Sequence, residues 1–178
     1  MSDYSTDYRV VGLASIKFAS ILGETAVTYV IGAASFHTIA NFVPDSAHML
    51  LDPDVVNNFF VEDKGAADCQ ILTQGARTIE FATRDMGATG LAYLMGGSAS
   101  NTTCYLAPIT AQVVNEKAMI ITTQPINGYE FVITVPRAAI STGGDLRFGK
   151  SETGTLTVSA VVMQPASAIA PYKMIAQP

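Results

Sequence analysis

Three stretches of this chain, residues 25–44, 86–115 and 153–172, contain no Asp, Glu, Lys or Arg. They leave the chain charge-poor: 14% of its 178 residues are charged and 49% are apolar, against about 25% charged in ordinary soluble domains. One domain is the natural reading of this length, and its single core cannot bury so much uncharged surface. Cover must come from outside, and the cover the sequence points to is a sister copy. A bilayer is the other candidate, and local chemistry argues against it. A helical span needs roughly 20 predominantly apolar residues. The second stretch is broken by Gly87, Gly90, Gly96, Gly97, Ser98, Ser100 and Asn101, and the first by His37, Asn41, Thr25, Thr28, Ser35 and Thr38. The N-terminal MSDYSTDYR lacks the basic-then-apolar order of a secretory leader. The expectation is a soluble, non-exported protein.

Periodicity makes the chain mainly β. Val, Ile, Thr, Tyr and Phe alternate with small or polar residues between turn signals. Strands are expected at 11–21, 26–31, 35–42, 70–73, 78–83, 103–114, 119–123, 129–135 and 155–163. Asn127-Gly128 marks a hairpin, because both residues tolerate positive φ. In 155–163, Leu156, Val158, Ala160 and Val162 alternate with Thr157, Ser159, Val161 and Met163, so neither face is charged and both need covering. One short helix is expected at 85–95, with Asp85 as its cap and Gly96-Gly97 as its end. A second helix start, Asp52 before Pro53, competes with an acidic loop or an irregular strand over 53–61. The PRAAISTGG that follows 129–135 does not read as strand core. The expected fold is therefore a β-sandwich or partly closed barrel of antiparallel strands with one flanking helix. Residues 1–9 and the proline-rich 165–178 read as extended arms that dock on a neighbour.

The net charge of −5 is concentrated in one place. Asp45, Asp52, Asp54, Glu62, Asp63 and Asp68 face Lys64 alone within 45–68, and the nine acids and nine bases elsewhere cancel. No cluster of Lys and Arg exists to displace counterions from a nucleic acid. The acidic insertion is expected to meet Arg77, Arg84, Arg137, Arg147 or Lys150 of a neighbouring subunit. Lining a channel is the competing placement. The interface candidates are thus Asp45, Asp52, Asp54, Glu62, Asp63, Arg137, Arg147 and Lys150.

Apparent catalytic or metal signatures fail on context. GDLRFGKS at 144–151 matches the phosphate-cradling G-x-x-x-x-G-K-[ST], but TLTVSAVVM follows where a helix should begin. His37 and His48 lack a third zinc ligand in register. A calcium loop from Asp52 would need an oxygen ligand at Val56 and a glycine at Asn57. Gly97-Ser98-Ala99-Ser100-Asn101 lacks the second glycine of a nucleophile elbow. Cys69 and Cys104 have no CxxC spacing and read as thiols in a reducing compartment. No enzyme activity, cofactor or metal is expected.

Taken in order, IKFASI and AVTYVIG, the acidic insertion, TIEFATRDMGATGLAYLMGG, YEFVITVPRAAI and GTLTVSAVVMQP resemble the major tail proteins of tailed bacteriophages, across about residues 10–165. The resemblance implies a tail-tube subunit. Copies would close into rings, six to a ring, and rings would stack with other tail proteins into a virion conduit. Double-stranded DNA would pass through it without specific binding or membrane contact, and the subunit would be made in the cytoplasm of a bacterial host. Ring closure would also remove exposed strand edges. The alternatives are another β-sandwich virion component (neck, tail-completion or capsid decoration) and a soluble β-sandwich module that binds a ligand.

Overall fold

The structure is a computed structural model that describes residues 12–21, 36–59, 69–101, 103–109, 114–125, 128–145, 154–165 and 169–177. It is mainly β. In chain order the elements are β1 (Leu13–Ala19), β2 (His37–Ile39), β3 (His48–Leu51), β4 (Val55–Phe59), β5 (Cys69–Thr73), β6 (Arg77–Thr83) and α1 (Ala88–Met95). They continue with β7 (Ser98–Ala99), β8 (Tyr105–Leu106), β9 (Asn115–Thr123), β10 (Glu130–Asp145), β11 (Thr155–Val162) and β12 (Lys173–Gln177). Eight strands form one antiparallel sheet in the order β2-β1-β9-β10-β11-β6-β3, with β12 also on β10.

Alternation decides which side of this sheet is the core. Ile16 and Phe18, Met119 and Ile121, Ile133 and Val135, Val158 and Ala160, and Ile79 and Phe81 are all buried. Each pair is spaced by two residues, the strand period. The sheet rolls so that these side chains meet. Phe18 of β1 and Phe81 of β6 come within 6.2 Å between ring centroids, although β9, β10 and β11 lie between those strands. One run of chain links the two edges. Ile39 pairs with Ile16 of β1, and three residues later Phe42 bridges Thr83 of β6. The corner is held by Thr83 Oγ1 donating to Ala40 O (2.8 Å), Ala40 N to Asp85 Oδ2 (3.1 Å) and Arg84 N to Asn41 O (2.9 Å). Asn41 turns there with φ 56°, in the left-handed region that Asn tolerates best among non-glycine residues. Among the described residues no ladder joins β2 to β3, so the sheet they form is rolled but not closed.

Several sequence expectations need correction. The strand expected at 129–135 runs on through Pro136 to Asp145, so PRAAISTGG is strand after all. Pro136 is tolerated because the β9–β10 register shifts between Val135 and Ala138, while on the other side β12 pairs only to Thr134 and β11 begins at Ala138. A missing N–H costs no ladder bond in that gap. The helix starts at Ala88 with Gly87 as N-cap. Asp85 instead accepts from Gly87 N (3.0 Å) and from the corner at Ala40. The strand expected at 103–114 is reduced, among the described residues, to the two-residue β8. Of the readings left open for 53–61, the strand is the one found: Val55–Phe59 form β4, and no helix starts at Pro53. The C-terminal segment expected to dock on a neighbour places β12 on its own β10. The expected strand at 26–31 and the arm at 1–9 lie outside the described residues.

Candidate functional site

The acidic insertion is built as a ribbon. The pairs His48–Glu80 and Leu51–Arg77 join β3 to β6, and Val55–Thr73 and Phe59–Cys69 join β4 to β5. Every step forward on one strand is matched by a step back on the other, so one register runs through both ladders. Asp52 N to Ala76 O (3.0 Å) continues it across the junction. Strands β3–β4 and β5–β6 are therefore one hairpin. Its base lies in the sheet, and its outer part, β4–β5, is a two-stranded sheet of its own. Five residues at about 3.3 Å each make an arm of roughly 17 Å.

Constant register fixes which face is which. Odd-numbered side chains of the ribbon share the face that in the sheet carries Ile79, Phe81 and Thr83, all buried. On the arm that same face carries Leu51, Val55 and Ile71, each more than half exposed. Even-numbered positions continue the outer face with Leu50, Val56 and Leu72, the last 63% exposed. The arm thus carries the core-facing surface of the sheet out beyond the core and adds a second apolar face behind it. An isolated two-stranded hairpin is marginal in water, and its unpaired edges invite further strands.

A polar collar divides core from arm. Arg77 donates to Asp52 O (2.6 Å) and Gly75 O (3.1 Å), and its Nη2 lies 3.4 Å from Asp54 Oδ1. That carboxylate oxygen also accepts from Gly75 N (2.9 Å). Gly75 has no room for a side chain, since a Cβ there would run into the Asp52 and Pro53 carbonyls.

The charged candidates are placed as follows. Asp54 is engaged by Arg77 of its own chain. Arg137 grips Glu116 in bidentate fashion (Nε–Oε2 3.0 Å, Nη2–Oε1 3.0 Å), also within the chain. Asp52 is exposed at the collar, and Asp45 is exposed at a turn with φ 56°. Glu62, Asp63, Arg147 and Lys150 lie outside the described residues. The structure therefore brings Asp52 and Asp54 together at the arm's base and places Asp45 and Arg137 elsewhere. What charge-based reading missed is the apolar content of the arm. Its sequence signal was the apolar quartet Val55, Val56, Ile71 and Leu72 on either side of the acids.

The remaining signatures have local structural settings. His37 stacks on Tyr93 of α1 at 5.3 Å and 4°, and Lys117 Nζ lies 5.5 Å from that ring. His48 Nε2 meets Glu80 at 3.2 Å. Among the described residues no three His, Cys, Asp or Glu gather as a metal site, and no helix is long and apolar enough to cross a membrane. Gly144, in the phosphate-loop-like segment, sits at φ 147° against the Thr155 carbonyl, and the next described element is the strand β11. Cys104 is an exposed free thiol.

No protein-family model matches the chain, and no curated protein matches it.

Proposed function

We propose that the protein is a structural subunit that assembles with copies of itself, in the specific form of a tail-tube subunit of a tailed bacteriophage. Rings of copies, six to a ring, would stack into the virion's conduit for DNA. The observation that carries this reading is the arm with apolar side chains on both faces. A hairpin with one apolar face is satisfied by lying flat on its own domain or on one partner. A hairpin with two apolar faces needs cover on both sides, so it belongs between surfaces supplied by neighbours. The uncharged stretches 86–115 and 153–172 carry exposed apolar side chains of the kind such a surface needs, among them Met86, Leu106 and Val161. The net negative charge suits a channel wall past which DNA slides without sticking.

Negative-stain microscopy of the purified protein tests the reading. Tubes or stacked rings are expected. Uniform monomers at every concentration and salt condition would overturn it, and a small closed oligomer would favour another virion component or a ligand-binding module.

A further inference from the structure

We infer that the Asp52–Pro53 peptide bond is a site of self-cleavage, with the Asp52 carboxylate as nucleophile and Arg77 as the donor that holds the developing oxyanion. The reaction needs no second copy, so it is independent of the self-assembly reading. Chemistry picks out the bond. A carboxylate one methylene from its own Cα can close on that residue's carbonyl carbon in a five-membered ring. Aligned intramolecular attack of this kind reaches effective concentrations of about 10⁵–10⁸ M. The leaving side is proline, whose nitrogen belongs to a tertiary amide and becomes a basic secondary amine when released. Asp52-Pro53 is the only Asp-Pro pair in the chain.

The collar supplies what an ordinary Asp-Pro bond lacks. Arg77 Nη1 donates to Asp52 O at 2.6 Å, and the Arg77 side chain is 18% exposed. That oxygen is the one that gains charge when the carbonyl carbon is attacked. A fixed donor, shielded from water and aimed at such an oxygen, stabilises the charge as it develops. Asp54 positions the guanidinium: its Oδ1 lies 3.4 Å from Nη2 and also accepts from Gly75 N (2.9 Å). Asp52 N donates to Ala76 O (3.0 Å), and Gly75 lies against the carbonyls of Asp52 and Pro53 with no room for a Cβ. The scissile carbonyl is thus held from the β6 side of the ribbon. Asp52 and Pro53 are themselves exposed, open to the water that the reaction consumes.

The step balances as a hydrolysis. One Oδ of Asp52 bonds to Asp52 C, and the carbonyl π pair moves onto the oxygen facing Arg77. The Pro53 nitrogen takes a proton from solvent. When the pair returns, the C–N bond breaks and leaves a cyclic anhydride of Asp52. One water molecule opens the anhydride to free α- and β-carboxylates and releases two protons, one of which replaces the proton taken up at nitrogen. Nothing is oxidised or reduced. The cut falls between β3 and β4. Strands β1 and β3 keep the first piece in the sheet through β9 and β6, so the two pieces stay together. The arm is then attached by β5 alone.

Rates of cutting in the folded and unfolded chain test the assignment. The protein is incubated in the most acidic buffer in which circular dichroism still shows the native fold, and in parallel unfolded in urea at the same pH. Denaturing gels and intact-mass spectrometry follow the pieces 1–52 and 53–178. The folded wild type should be cut at least about tenfold faster than the unfolded chain, since one oxyanion donor is worth about 10²–10³ in rate. Arg77→Met should lose this advantage when folded and match the wild type in urea. Asp52→Glu, whose carboxylate sits one methylene further out, should be cut more slowly in both. A folded wild type that is not cut, or is cut no faster than the unfolded chain, overturns the proposal, and that comparison needs no variant. So does an Arg77→Met protein of native spectrum cut as fast as the wild type, or a new N-terminus other than Pro53.

Discussion

The base and the tip of one hairpin behave as two different materials. Both halves of the ribbon share a register, an alternation and an apolar inner face. Yet Phe81 at the base is 1% exposed, while Ile71, ten residues earlier on the same face, is 51% exposed. What separates them is where the rolled sheet stops. Around β6 the strands β11 and β1 and the bridge at Phe42 supply neighbours, including the edge-on contact of Phe42 with Phe81 at 5.8 Å. Beyond Arg77 no described element of the chain lies over the arm's inner face. The same side-chain chemistry therefore stabilises the monomer on one side of the collar and is held in reserve on the other.

The largest test of that contrast compares Phe81→Ala with Ile71→Ala. The first leaves a cavity in a filled core and should cost about 3–5 kcal/mol of unfolding free energy, read from urea midpoints. The second removes an exposed side chain and should change monomer stability by less than about 0.5 kcal/mol, while raising the concentration needed for assembly. Equal losses in the monomer would mean that the arm is packed on its own chain.

Next comes the hinge between the two materials. Gly75→Ala sets a methyl group against two carbonyls and should cost about 1–3 kcal/mol locally, as overpacking does. Amide exchange in β4 and β5 should accelerate, while protection in β9 and β10 stays unchanged. Uniform acceleration would show that the arm and the sheet open as one unit.

How much of this contrast was legible in the sequence depended on whether the deciding contacts were local. The strands β6 and β11 announce themselves by strict alternation of Ile79, Phe81 and Thr83 and of Leu156, Val158 and Ala160. The helix ends at the glycines that mark it, Gly96 and Gly97, both with positive φ. Where tertiary pairing decides, the local signals mislead. Asp52-Pro53 has the form of a helix start, yet cross-strand pairing of Val55–Phe59 with Cys69–Thr73 makes β4. Pro136 looks like a strand end because its tolerance depends on a bulge and on a gap between two other strands. The acids of the insertion drew attention to charge. The property that sets the arm apart, exposure of Val55, Val56, Ile71 and Leu72, appears only once the sheet's limits are known.

Smaller effects separate the ion pairs of the body from each other. Arg137 and Glu116, each side chain about a quarter exposed, lie at the bulge where β10 changes partners. A double-mutant cycle of Arg137→Met and Glu116→Gln should give a coupling of about 1 kcal/mol, at the upper end for surface pairs because the contact is bidentate. A coupling near zero would mean that the bulge holds by backbone pairing alone.

The weakest expected effect lies on the outer face of the ribbon's base. His48 Nε2 stands 3.2 Å from Glu80 Oε2, with side chains 51% and 35% exposed. The two residues are directly opposite in the β3–β6 ladder, so the strands already hold them together and the pair adds little to that register. Exposed pairs contribute about 0–1 kcal/mol and are screened by salt. His48→Ala should therefore lower stability by no more than about 0.5 kcal/mol, with the difference vanishing in high salt. A larger, salt-resistant loss would make the base of the ribbon depend on this contact as well as on the collar at Arg77.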